Sequence, residues 1–169
     1  MSGTTGVNIG DSNTRVSDNY IYFTGNLNLI QGKGITSSFN YMHITNNLIY
    51  GPSVCIECLG RYFVINNNNM LVSNYDGSGI GRGIRCYHVS SYTVGGSICG
   101  NTINRTGTVG TGVGIETNNC AWISVVGNMI YDPTGSRRFT TTINSVGATF
   151  AGAGVGGGID MSHNIYEVV

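Results

Sequence analysis

Three side chains carry the reactive potential of this sequence: Arg85, Glu116 and Asp160. Each follows a Gly-Ile pair, at Gly83-Ile84, Gly114-Ile115 and Gly158-Ile159. If that isoleucine points inward from an extended strand, the residue after it points out. Applied along the chain, this rule builds an exterior column of Asn8, Thr36, Cys55, Arg85, Glu116 and Asp160. Neighbours on stacked strands stand about 5 Å apart. A glycosidase that retains configuration needs two carboxyl groups about 5 to 5.5 Å apart. Glu116 and Asp160 meet that spacing if their strands are adjacent, with Arg85 as a basic companion, so these three are the candidate catalytic residues. The plainer reading makes Arg85 and Glu116 a surface ion pair, worth less than about 1 kcal/mol, with Asp160 solvated. Glu57, Asp76 and Asp132 have no second carboxylate in register, and Asp76 and Asp132 sit among turn residues.

The elements that must position these groups are written in a repeat. A six-residue phrase, aliphatic-x-x-Asn-x-aliphatic, first occurs as Val16-Ser17-Asp18-Asn19-Tyr20-Ile21. It returns from Ile44 to Ile49, Ile65 to Met70, Ile98 to Ile103 and Val125 to Ile130, and in degenerate form from Met161 to Tyr166. The starts are 28, 21, 33, 27 and 36 residues apart. A second phrase, small-aliphatic-outward, runs in step with it at Gly6-Val7, Gly34-Ile35, Ser53-Val54, Gly83-Ile84, Gly114-Ile115 and Gly158-Ile159. Short alternating strands broken by Gly and Asn suit coils of parallel strands stacked at about 4.8 Å. One coil cannot close a core, whereas a stack buries a continuous apolar column. Asn19, Asn47, Asn68, Asn101, Asn128 and Asn164 are the expected ladder: each amide bonds the coils on either side, and asparagine tolerates the left-handed backbone of a tight turn.

Three residues before the phrase stand Tyr41, Tyr62 and Trp122, in equivalent outward positions. Aromatic side chains on such a face can lie against sugar rings, and the same residues would serve an interface between subunits. The inward set is Ile9, Val16, Ile21, Ile35, Ile44, Ile49, Val54, Ile56, Ile65, Met70, Ile84, Ile98, Ile103, Ile115, Ile123, Val125 and Ile130, joined by Cys58, Cys86 and Cys120.

The Gly-Ile and Ile-x-x-Asn-x-Ile pattern resembles the right-handed parallel β-helix of pectate-lyase-like proteins, among them bacteriophage tailspikes and tail fibres. The likeness covers residues 6–132 well and 158–169 loosely. It implies an all-β fold, a short right-handed parallel β-helix of about six coils with an Asn ladder, assembled as a homotrimer. It also implies a virion tail module that engages a host surface polysaccharide alongside other tail proteins. The alternative it leaves open is a polysaccharide-cleaving hydrolase or lyase of the same fold, since that fold hosts many functions.

Composition narrows the rest. Charged residues make up 9% of the 169 positions, against roughly 25% in ordinary proteins. The eight basic and eight acidic residues cancel, which leaves no basic footprint for nucleic acid. Gly takes 27 positions and Asn 20, so long helices are not expected. No secretory leader is read at the start, and no stretch reaches the roughly 20 apolar residues of a membrane span. The expected location is the virion tail, after synthesis in the host cytoplasm. Cys55-x-x-Cys58 is half a zinc site with no second half, so no metal or cofactor is expected, and the five cysteines are read as free thiols. By organisation, residues 1–132 form the coils, 133–157 a Gly-rich loop excursion with Arg137 and Arg138 at its tip, and 158–169 the final coil.

Overall fold

The structure, a computed structural model, describes residues 4–24, 32–73, 80–87, 93–105, 111–118, 120–131, 139, 141–146, 159–160 and 164–166. They form strands and turns, with no helix among the described residues. Each coil of chain contributes three strands. The first coil holds β1 (Thr4–Ile9), β2 (Arg15–Ser17) and β3 (Tyr20–Tyr22), and the second β4 (Gly32–Ser37), β5 (His43–Thr45) and β6 (Leu48–Tyr50). The third holds β7 (Val54–Cys58), β8 (Phe63–Asn66) and β9 (Asn69–Val72), and the fourth β10 (Ile80–Tyr87), β11 (Thr93–Cys99) and β12 (Thr102–Arg105). The fifth holds β13 (Thr111–Asn118), β14 (Cys120–Val126) and β15 (Met129–Tyr131), and the sixth β16 (Thr141–Val146), β17 (Ile159–Asp160) and β18 (Ile165–Tyr166).

Corresponding strands stack into three six-stranded sheets, β1-β4-β7-β10-β13-β16, β2-β5-β8-β11-β14-β17 and β3-β6-β9-β12-β15-β18. The pairing between neighbouring strands is parallel throughout the first sheet. The chain is therefore a parallel β-solenoid. Its core is a set of aliphatic columns between the sheets. The first runs Val7, Ile35, Ile56, Ile84, Ile115 and Ile143. The second runs Val16, Ile44, Ile65, Ile98 and Val125, and the third Ile21, Ile49, Met70, Ile103 and Ile130. Ile35, Ile44, Ile49, Ile56, Ile65, Ile84, Ile98, Ile103 and Ile115 are fully buried. Burial of each such side chain contributes roughly 1.5 to 3 kcal/mol before chain entropy is counted. Of the expected core, Ile21 alone among the described residues is only half-buried, while Met42, Phe63, Val72 and Val113 are buried additions.

The glycine of the Gly-Ile phrase has a steric origin. A Cβ on Gly34 would meet Ile49 Cγ2 at 2.6 Å and the Cys55 carbonyl at 2.5 Å. On Gly83 it would meet Ile103 Cγ2 at 2.4 Å and the Gly114 carbonyl at 2.5 Å. Glycine and the isoleucine after it thus both face inward, where the first sheet turns a corner against the third. In the third coil Cys55 stands at the glycine position, and the third-sheet residue facing it is Met70 instead of isoleucine. The Cβ of methionine carries no branch, which leaves room for the one the cysteine adds.

The third-coil expectation was two residues out of register: Ile56, not Val54, continues the inward column, so Glu57 and not Cys55 joins the outward one. Val54 and Ile56 have the same strand parity and both are buried, so alternation cannot separate them. The sixth coil also differs from expectation. Part of the interval 133–157 is strand, because β16 continues the first sheet, with Ile143 against Ile115 and Asn144 against Glu116. Thr141–Val146 lacks the Gly-Ile pair that marks β4, β10 and β13. Ile159-Asp160 instead supplies β17 of the second sheet, where Asp160 pairs with Ser124. Arg137 and Arg138 lie outside the described residues.

Candidate functional site

The asparagines tie the second and third sheets together. Asn19 Nδ2 donates to Asn47 Oδ1 at 3.0 Å, Asn47 to Asn68 at 3.0 Å, and Asn68 to Asn101 at 3.0 Å. Asn101 donates to Asn128 at 2.9 Å and Asn128 to Asn164 at 2.9 Å. Each inner amide also reaches a backbone carbonyl of the preceding coil, as Asn68 does to Ile44 at 2.9 Å. The left-handed backbone falls one residue earlier than expected, at Asp18, Asn46, Asn67, Gly100 and Gly127. Two adjacent positions thus divide the work: one makes the turn and the next fills it with hydrogen bonds.

A second left-handed column opens the second sheet, at Asn13, Tyr41, Tyr62, Gly95 and Trp122. Asn and Gly accept this conformation readily, whereas for other residues it costs roughly 1 to 2 kcal/mol. Tyr41 at φ 59°, Tyr62 at 57° and Trp122 at 53° adopt it nonetheless. These residues are 50%, 46% and 46% exposed, so burial is not what holds them there. Tyr41 and Tyr62 stack with centroids 5.0 Å apart and planes 12° apart. On the same outer face and two residues further on lie Arg15, His43, Val64, Ser97 and Ser124.

The first sheet brings the charged residues together. Its outward column is Asn8, Thr36, Glu57, Arg85 and Glu116, with Asn144 next in register on β16. Glu57 is paired with Lys33 and lies 3.4 Å from Arg85 Nη1. Arg85 Nε is 3.3 Å from Glu116 Oε2, and Arg82 Nε donates to that oxygen at 2.5 Å. Arg85 also covers the Tyr87 ring at 4.1 Å. The Glu57 side chain is 1% exposed and that of Glu116 12%, so cations enclose both carboxylates. Of the three candidate catalytic residues, Arg85 and Glu116 are neighbours, while Asp160 belongs to a different sheet. The close carboxyl pair does not form: Asn144 occupies the place beside Glu116 that Asp160 was expected to take. Lys33 and Arg82 were missed, and Glu57, expected to have no second carboxylate in register, shares the outward column with Glu116 through Arg85 once Ile56 is set in the inward column.

The outer face of the third sheet was also missed. Its rows are Tyr20, Leu48, Asn69, Thr102 and Met129, and Tyr22, Tyr50, Leu71, Asn104 and Tyr131, with no charged residue among them. Tyr22 stacks on Tyr50 at 4.7 Å and lies parallel to Tyr20 at 6.0 Å. The signal was present in the sequence, since these residues flank the last aliphatic of each Asn phrase. Cys55, Cys58, Cys86, Cys99 and Cys120 are free, and no group of three or more metal-ligating side chains gathers among the described residues. No helix among them is long and apolar enough to cross a membrane. No protein-family model, curated protein or solved structure matches this chain.

Proposed function

We propose that this chain is a right-handed, homotrimeric β-helix segment of a bacteriophage tail fibre or tailspike that engages a host surface glycan. The observation that carries the reading is the column of exposed Tyr41, Tyr62 and Trp122 on left-handed backbone. Bulky residues kept in a strained conformation without burial point to a use for their exposed faces, and sugar rings are the ligands such faces suit. The right hand is what parallel β-crossovers adopt in nearly all proteins. The uncharged third-sheet face, with Tyr20, Tyr22, Leu48 and Met129 exposed, supports subunit contact. A tail location, partnership with other tail proteins and the absence of nucleic-acid and membrane partners follow from the same reading. Polysaccharide cleavage is the weaker alternative, because the carboxyl pair it drew on is split between two sheets.

Two measurements test this. Light scattering should give three times the chain mass, and Tyr22→Lys should lower it. Co-sedimentation with bacterial capsule and O-antigen polysaccharides should retain the protein on at least one of them, and Tyr62→Ala with Trp122→Ala should abolish retention. A monomer that sediments with none of the polysaccharides overturns the proposal.

A further inference from the structure

The first coil lacks what every later coil receives from the one before it. Among the described residues β1, β2 and β3 are the outermost strands of their sheets at one end, and β16, β17 and β18 at the other. An outermost strand keeps one row of backbone N–H and C=O groups available for another strand. The ladder shows the same want. Asn47 Oδ1 accepts from Asn19 N at 3.1 Å and Nδ2 at 3.0 Å, and Asn68 Oδ1 accepts from both Asn47 groups at 3.0 Å. Asn101, Asn128 and Asn164 repeat the pattern. Asn19 Oδ1 accepts from no donor among the described residues. The apolar columns thin out at the same end: Val7 and Ile21 are half-buried, whereas Ile35 and Ile49 beside them are fully buried.

The sixth coil of a second copy carries the residues this end calls for, in the right rows. In the first sheet the column that opens at Val7 ends at Ile143, so a copy set before the first coil brings Ile143 to Val7. In the second sheet the outer row opens at Arg15, runs through His43, Val64, Ser97 and Ser124, and ends at Asp160. The same placement therefore sets an aspartate beside Arg15, which no other side chain engages among the described residues. It also sets Asn164, the last of the ladder, in the position from which an asparagine donates to the next, beside Asn19 Oδ1. Opposite charges at facing positions favour a register by about 0.2 to 1 kcal/mol, and like charges oppose it. The chain carries no net charge, so copies do not repel one another at a distance. Because the two ends differ, the contact is heterologous and repeats without closing.

We propose that copies of this chain stack end to end, the sixth coil of one on the first coil of the next, into a continuous solenoid. Each copy adds six strand spacings, about 29 Å. This axial contact uses the end coils, whereas the subunit contact inferred above uses the outer face of the third sheet, so the two can be separated. Light scattering on dilute protein gives the mass of the unit. On concentration that mass should climb by whole units, and electron microscopy should show unbranched rods one unit wide. Arg15→Asp sets two aspartates at facing positions and should raise the concentration needed for growth by about threefold or more. Asp160→Arg should do the same with two arginines. The double variant restores opposite charges and should restore growth, a rescue that a mere folding defect would not give. A mass that stays constant on concentration overturns the stack, and the trimer then stands or falls on the dilute mass alone. Growth that neither single variant slows, or that the double variant fails to restore, also overturns it. A dilute mass of one chain that still grows into rods upholds the stack and ends the trimer.

Discussion

At the residue scale, two left-handed columns can be compared directly. One consists of Asp18, Asn46, Asn67, Gly100 and Gly127, the residue types that meet positive φ at least expense. The other holds three large aromatics where Asn13 and Gly95 show that the cheap choice also fits. Removing a core aromatic destabilises a protein by about 3 to 5 kcal/mol. Trp122→Asn should instead leave stability within about 1 kcal/mol of the parent by urea denaturation, because the relieved backbone offsets the lost contacts. Cys55 and Met70 are a matched pair of the opposite kind. Met70→Ile should destabilise by about 1 to 3 kcal/mol through crowding, and Cys55→Gly should recover part of that, giving a coupling of about 0.5 to 3 kcal/mol in a double-mutant cycle.

The buried thiols add a pH dependence. Burial drives Cys55 and Cys86 well above the ordinary 9.0, and pushes Cys58 up to about 12. The folded chain keeps these protons while the unfolded chain releases them above pH 9. Their contribution is therefore complete below pH 9 and is lost as pH rises, by about 1.4 kcal/mol per pH unit for each thiol. Urea midpoints that fall above pH 9, with a shallower fall in Cys58→Ala, are the expected outcome.

At the scale of elements, the coils are held in register by two devices on different sheets. Within the ladder, Asn68 is 1% exposed and bonded on both sides, while Asn19 is exposed and bonded through Asn47. Asn68→Ala should lower stability by about 1 to 3 kcal/mol, since it leaves buried partners unsatisfied, and Asn19→Ala by much less. On the first sheet, Lys33, Glu57, Arg85, Glu116 and Arg82 alternate in charge across four coils. A slip of one residue would turn this face toward the core, so burial of the network selects one register. Glu57→Gln should cost about 1 to 3 kcal/mol in chemical denaturation: the cations lose a buried partner but keep some access to water.

At the scale of the whole molecule, the three sheets present three different surfaces: a paired charged face, an aromatic column beside a polar face, and an uncharged face rich in tyrosine. The core is best sealed in the middle coils. Ile35 and Ile49 of the second coil are fully buried, whereas Val7 and Ile21 of the first are half-buried. Hydrogen exchange should accordingly be fastest in β1 to β3 and slowest in β7 to β12, and a uniform profile would contradict that gradient.

The Asn phrase and the Gly-Ile phrase were enough to determine a stack of parallel coils, the ladder from Asn19 to Asn164 and nearly all of the inward residues. They could do so because both record contacts that recur from coil to coil: an amide bonded to its copies above and below, and, in coils such as the first, second and fourth, a glycine pressed against a branched side chain. The aromatic column was legible for the same reason, being set at a constant distance from the phrase. Which residues meet between coils of unequal length was decided only by the tertiary structure. Glu57 in place of Cys55 and Asn144 in place of Asp160 both turn on register. Parity along a strand says which face a residue takes except at the Gly-Ile corner, where two consecutive residues face inward, but pairing between strands is settled by how the intervening chain closes each coil.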